Sequence, residues 1–97
     1  MYESKMKSEE TDHLFAAILS LKTEEDCYRF FDDLCTYNEI KSMSLRYHVA
    51  ELLTQGKTFN QIMESTNASS ATITRVNKCL VYGSNGYNEA LKSTKKK

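Results

Sequence analysis

The sequence predicts an all-α fold, on three observations. Its 97 residues contain no proline and only three glycines, Gly56, Gly83 and Gly86, so little interrupts a helix. Its apolar residues recur at three- and four-residue spacing, the period of a helix face. Thr36 and Thr58 are each followed three residues later by Glu39 or Gln61, the spacing of a capping box, in which side chain and backbone satisfy each other at a helix start.

Each element follows in order. Residues 1–8 are polar and expected to be a flexible tail. From Glu9 to about Leu21, Leu14, Phe15, Ile18 and Leu19 form one apolar stripe. Thr23 followed by Glu24, Glu25 and Asp26 reads as an N-cap with acids that complement the helix dipole. The helix it opens is expected to bury Cys27, Phe30, Phe31 and Leu34. The Thr36 box opens a long helix from Tyr37 to Gln55, stopped at Gly56. Its apolar residues Ile40, Met43, Leu45, Tyr47, Val49, Ala50, Leu52 and Leu53 cover more than one stripe, so it should pack on several sides.

The Thr58 box opens a short helix, Phe59 to Ser65, burying Phe59, Ile62 and Met63. Thr66-Asn67-Ala68-Ser69 reads as a tight connection rich in local hydrogen-bonders. A second short helix runs from Ser70 to about Val81 and buries Ile73, Val76 and Leu80. Tyr82-Gly83-Ser84-Asn85-Gly86 breaks the chain. A last helix, Tyr87 to Ser93, packs Tyr87, Ala90 and Leu91 back, and residues 94–97 form a second flexible tail.

The length fits one domain. A chain this small leaves much apolar surface uncovered, which favours a homo-oligomer. No apolar run approaches the ~18 residues of a membrane span. MYESKMKSEE lacks the apolar core of a signal peptide, so a cytoplasmic protein is expected. The three cysteines, Cys27, Cys35 and Cys79, match no zinc spacing and are expected to be reduced and mostly buried.

Formal net charge is zero, but its distribution is uneven. Residues 1–40 hold four bases against ten acids, a net of −6, and residues 41–97 hold nine against three, a net of +6. No acid stands between Glu64 and Glu89. Such asymmetry marks a basic working surface in the second half.

Two short helices with a tight connection, over about residues 58–81, make a helix-turn-helix candidate. Ser70, Ala71, Thr74, Asn77 and Lys78 point away from the buried stripe of its second helix. Short side chains would let that helix sink into a major groove, with Ser70, Ala71 and Thr74 against base edges. Ser69 and Thr72 at the helix start, with Arg75 and Lys78, would hold phosphate. Asn60 and Gln61 would touch the backbone from the preceding helix. Two rival readings stay open: a helical dimer that docks a protein partner, and a replication-related DNA-binding module without transcriptional control.

GKTFNQIMESTNASSATITRVNKCL resembles the helix-turn-helix of the tryptophan-repressor superfamily, most recognisably at Ala71-Thr72-Ile73-Thr74-Arg75. ILSLKTEEDCYRFFDDLCTYNEIKSMSLRYHVAELLTQGKT resembles its YerC/YecD-like branch. The resemblance runs from about residue 9 to 91. It implies six helices, an intertwined homodimer, and a transcriptional regulator whose two helix-turn-helices read half-sites of double-stranded DNA one turn apart.

The superfamily's founding member binds tryptophan between two arginines and a threonine. The resemblance places Arg46, Arg75 and Thr36 at those positions, a possible effector pocket. Val76 stands where that pocket has a glycine, and Asp33 and Cys35 replace apolar residues. A valine fills the space, and a carboxylate beside an indole costs desolvation. Tryptophan is therefore not expected as a ligand, and Arg46 and Arg75 are expected at phosphates or in ion pairs. No cofactor is expected. His13 and His48 stand without further ligands at metal spacing. Asp32 and Asp33 point to different sides of a helix, and no nucleophile–base pattern appears, so an enzyme is not expected.

Overall fold

The computed structural model describes residues 2–94. They form six helices and, among the described residues, no strand: α1 (Glu9–Leu19), α2 (Glu24–Leu34), α3 (Tyr37–Thr54), α4 (Phe59–Thr66), α5 (Ser70–Tyr82) and α6 (Gly86–Thr94). Lys95–Lys97 of the expected tail lie outside the described residues, and Thr94 is the last residue of α6. The chain divides into two compact units, Met1–Tyr37 and Asn38–Lys97.

In the first unit, hydroxyl caps fix both helix starts. Ser8 Oγ accepts from the Thr11 amide and Thr23 Oγ1 from the Asp26 amide, each at 3.0 Å. Each satisfies one orphan amide of its helix. The acids expected in the first turns are there, Glu9, Glu10 and Asp12 on α1 and Glu24, Glu25 and Asp26 on α2. The polar segment before α1 is bent by a turn in which the Lys7 amide donates to the Ser4 carbonyl at 3.2 Å. Lys7 Nζ also reaches Asp12 Oδ2 at 2.6 Å.

The apolar stripes of this unit are not covered as the sequence predicts. Neither α1 nor α2 has a buried residue. Cys27 and Leu34 are exposed, and Phe30 and Phe31 are half-buried, meeting edge to face at 5.3 Å. On α1, Leu19 is 84% exposed and Phe15 46%. Helical period places these side chains on shared faces. Two short helices alone do not enclose such stripes.

The second unit holds the core. Val49 and Ala50 on α3, Ile62 on α4, Ala68 in the connection, and Ile73 and Val76 on α5 are buried. Leu45, Leu52, Leu53, Met63, Leu80, Tyr87 and Leu91 pack around them, half-buried. Phe59 and Ala90, expected inside, are exposed. The first is the opening residue of α4, where a helix has no earlier turn to shield it. The cysteines are free, with Cys27 exposed and Cys35 and Cys79 half-buried, so the expectation of mostly buried thiols fails.

Local chemistry sets the element ends. α3 stops at Gly56, whose φ of 88° belongs to the left-handed region. The Lys57 amide then donates to the Leu52 carbonyl and the Gly56 amide to the Leu53 carbonyl, both at 3.1 Å. This pairing is a Schellman closure, which satisfies the last carbonyls of the helix. α5 stops at Gly83, whose amide donates to the Cys79 carbonyl at 2.9 Å. A Cβ at Gly83 would collide with that same carbonyl oxygen. Asn88 Nδ2 donates to the Leu80 carbonyl at 3.1 Å and to Asn85 Oδ1 at 3.0 Å, fastening α6 to the end of α5.

Candidate nucleic-acid interface

α4 and α5, joined by residues 67–69, occupy the stretch that the sequence offers as a helix-turn-helix candidate. α4 opens with a complete capping box: Thr58 Oγ1 accepts from the Gln61 amide at 3.1 Å, and Gln61 Oε1 accepts from the Thr58 amide at 2.9 Å. It ends on Asn67, in the left-handed conformation at φ 64°. The Thr66 hydroxyl donates to the Ile62 carbonyl at 2.7 Å and accepts from the Ala68 amide at 3.1 Å. One side chain thus ties the last turn of α4 to the residue that drops into the core. Ala68 is 5% exposed, a buried turn residue that helical periodicity does not reveal.

α5 begins at the Ser69 cap, whose Oγ accepts from the Thr72 amide at 3.1 Å. Ile73 and Val76 beneath are 0% and 1% exposed, so the helix has a fixed rotational setting. Its outer side carries Ser70, Ala71, Thr74, Arg75 and Lys78, all exposed, with Ser69 at its head. Asn60 and Gln61 are exposed on the first turn of α4.

One expected site residue and one residue read as outward-facing sit differently. Thr72 is half-buried, and its hydroxyl accepts from Ser69 Oγ at 3.1 Å, so it belongs to the cap more than to an open surface. Asn77, read as outward-facing, is also half-buried.

Charge on this surface is uncompensated. Among the described residues neither Arg75 nor Lys78 has an ion pair. Lys57, exposed immediately before the Thr58 cap, adds a cation at the start of α4. The sequence reading passed over it, though its place before a capping box was the available signal. Amides at a helix start attract anions, and α4 and α5 each present such a start beside a cation or a short hydroxyl side chain.

The residues of the possible effector pocket are distributed as follows. Arg46 is half-buried, and its Nη1 donates to Ser42 Oγ one turn earlier at 3.2 Å. Among the described residues it has no ion pair. Arg75 is exposed, and Thr36 is exposed in the first unit. An apolar hollow of about 370 Å³ in the second unit is lined by Tyr47, Cys79, Ser84, Gly86, Tyr87 and Ala90, with neither arginine. Among the described residues no trio of His, Cys, Asp or Glu is placed to hold a metal ion. No helix among them is long and apolar enough to cross a membrane.

Known proteins are similar to this chain in sequence and fold. The family described as Trp repressor protein matches residues 9–95. The Bacillus subtilis (strain 168) protein YerC, described only as uncharacterized, is 52% identical over 95 residues, covering 98% of this chain and 91% of its own length. A crystal structure from Staphylococcus aureus, described as a candidate Trp repressor, superposes with a TM-score of 0.89 at 45% identity, over 94% of this chain and 91% of that one. A TrpR-like protein from Eubacterium eligens ATCC 27750 gives 0.88 at 47% identity, over 92% of each chain. With matches of that extent and identity, this chain belongs to the Trp repressor family.

Proposed function

We propose that the protein is a sequence-specific DNA-binding transcriptional regulator that reads the major groove with α5 and acts as a homodimer. One observation carries this reading. The first turns of α5 present Ser70, Ala71, Thr74, Arg75 and Lys78 outward, short at the leading end and cationic behind, on a helix fixed by Ile73 and Val76. A helix of that profile fits between phosphate rails without long side chains blocking its approach. Asn60, Gln61 and Lys57 on or before α4, with Ser69 at the α5 start, would set register on the backbone. Membership of the Trp repressor family supports the same reading.

The second copy follows from the first unit. Phe15, Leu19, Tyr28 and Leu34 are 46%, 84%, 71% and 50% exposed on helices that bury nothing. Exposed apolar groups in such density mark an interface. Work on the chromosome places the protein in the cytoplasm. Tryptophan is not proposed as an effector, because Val76 is already closed into the core at 1% exposure.

Selection of bound duplexes from a random pool tests the reading. The expected result is an enriched sequence repeated with inverted symmetry at about one DNA turn, roughly 10 bp. A pool that stays unenriched at low salt removes DNA reading. The rival protein-docking role has its own support in Val81 and Tyr82, 61% and 82% exposed at the end of α5. Recovery of chromosome-wide bound DNA separates promoters, an origin region and background, which correspond to regulation, a replication role and no DNA role.

A further inference from the structure

The reading above leaves open which feature of a base pair α5 recognises. We infer that it recognises the C5-methyl group of thymine, through an apolar spot made by Ala71 and Thr74, so that one or two thymines in each half-site carry the discrimination. The inference rests on the proposed DNA-reading role of α5.

Base discrimination depends on the chemistry available at the leading end of the helix. Guanine is best discriminated by Arg or Lys spanning two acceptors, adenine by Asn or Gln, and cytosine by a carboxylate accepting from its amino group. The first two turns of α5 offer little of this. No Asn, Gln, Asp or Glu occurs from Ala68 to Val76. Asn77 is half-buried. Arg75 is the nearest long donor, set behind Ala71 by one full turn.

The hydroxyls do not supply the missing discrimination. Ser69 Oγ and Thr72 Oγ1 are both engaged in the cap, with Ser69 Oγ accepting the Thr72 amide and donating to Thr72 Oγ1. Ser70 and Thr74 have no hydrogen-bond partner for their hydroxyls among the described residues. A free hydroxyl both donates and accepts, and therefore suits either kind of base edge. It adds affinity without choosing.

What remains is apolar. Ala71 offers only its methyl, and Thr74 carries a methyl beside its hydroxyl. The two stand at i and i+3 on α5, neighbours on one helix face, and both are exposed. Thymine is the base whose major-groove edge presents a methyl group. The burial of Ile73 between them prevents α5 from rotating the pair away.

The experiment starts from a duplex selected by the full-length protein. Each thymine is replaced in turn by uracil, which removes the methyl and leaves the pairing edge intact. The expected result is an affinity loss of about fourfold at one or two positions per half-site, the ratio given by about 0.8 kcal/mol per methyl-sized group buried. Losses elsewhere should stay under about twofold. Thr74→Ser, which keeps the hydroxyl and drops the methyl, should abolish the thymine-to-uracil ratio at one such position. Ala71→Gly should abolish it at the same or the other position. Each ratio is taken within one protein, so any change in helix stability cancels.

Uracil tolerated at every position of a selected duplex overturns the inference and leaves DNA reading standing. So does a thymine-to-uracil ratio that survives both substitutions. A pool from which no duplex is selected overturns the proposed function together with this inference.

Discussion

The Ser69 hydroxyl accepts a hydrogen bond from the Thr72 amide and donates one to the Thr72 hydroxyl, both at 3.1 Å. One amide at the start of the helix proposed to enter DNA is therefore satisfied by the cap before any ligand arrives. Ser69→Ala should lower unfolding stability by about 1 kcal/mol, the usual cost of losing such a cap. Ser69→Asp should retain stability, because a carboxylate also caps, yet weaken DNA binding by placing a negative charge at the phosphates. Denaturant unfolding and duplex binding on the same two variants check the pair. Equal DNA affinity for Ser69→Asp and the parent would take this residue away from the phosphate surface.

Gly83 ends α5 where a Cβ would strike the Cys79 carbonyl oxygen. Gly83→Ala should cost more than about 1 kcal/mol, since the conformation it must adopt is blocked. The loss should appear in denaturant unfolding, with faster hydrogen exchange in α6. That helix is tied back here through Asn88 and the Leu80 carbonyl. An unchanged denaturation midpoint would mean that the backbone relaxes at no cost.

A homodimer joined through α1 and α2 should have a melting temperature that rises with protein concentration. Leu19→Glu changes a side chain that is 84% exposed in the single chain. Surface changes away from special features alter stability by about 0.5 kcal/mol or less. In a dimer the same change should shift sedimentation toward the monomer and lower the melting temperature. A Leu19→Glu protein with unaltered mass would exclude Leu19 from the contact.

Lys78→Ala and Lys57→Ala should each weaken every duplex alike and reduce the slope of log affinity against log salt by about one unit. Thr74→Ala should act selectively, costing about 0.8 kcal/mol more on the preferred site than on a scrambled one, the value of one methyl contact. Salt titrations on a selected and a scrambled duplex distinguish the two behaviours. A selective loss for Lys78→Ala would reverse its assignment from phosphate to base.

The sequence by itself determined the helices and most of their starts. The Thr58–Gln61 box and the Thr23 cap are contacts across three residues, so the information for them lies within one helical turn. The stop at Gly56 is equally local. Ile62, Ile73 and Val76 were also legible as core, because the spacing that places them on one face coincides with a neighbouring helix that covers it.

Tertiary structure decided what is covered. Cys27, Leu34, Phe59 and Ala90 sit at apolar positions of their helices and are exposed, while Ala68 in a polar turn is buried. It also decided that the Thr72 hydroxyl belongs to the cap rather than to open solvent. Periodicity tells which side chains share a face, but burial requires atoms from elsewhere in the chain, or from a second chain, to displace water from that face.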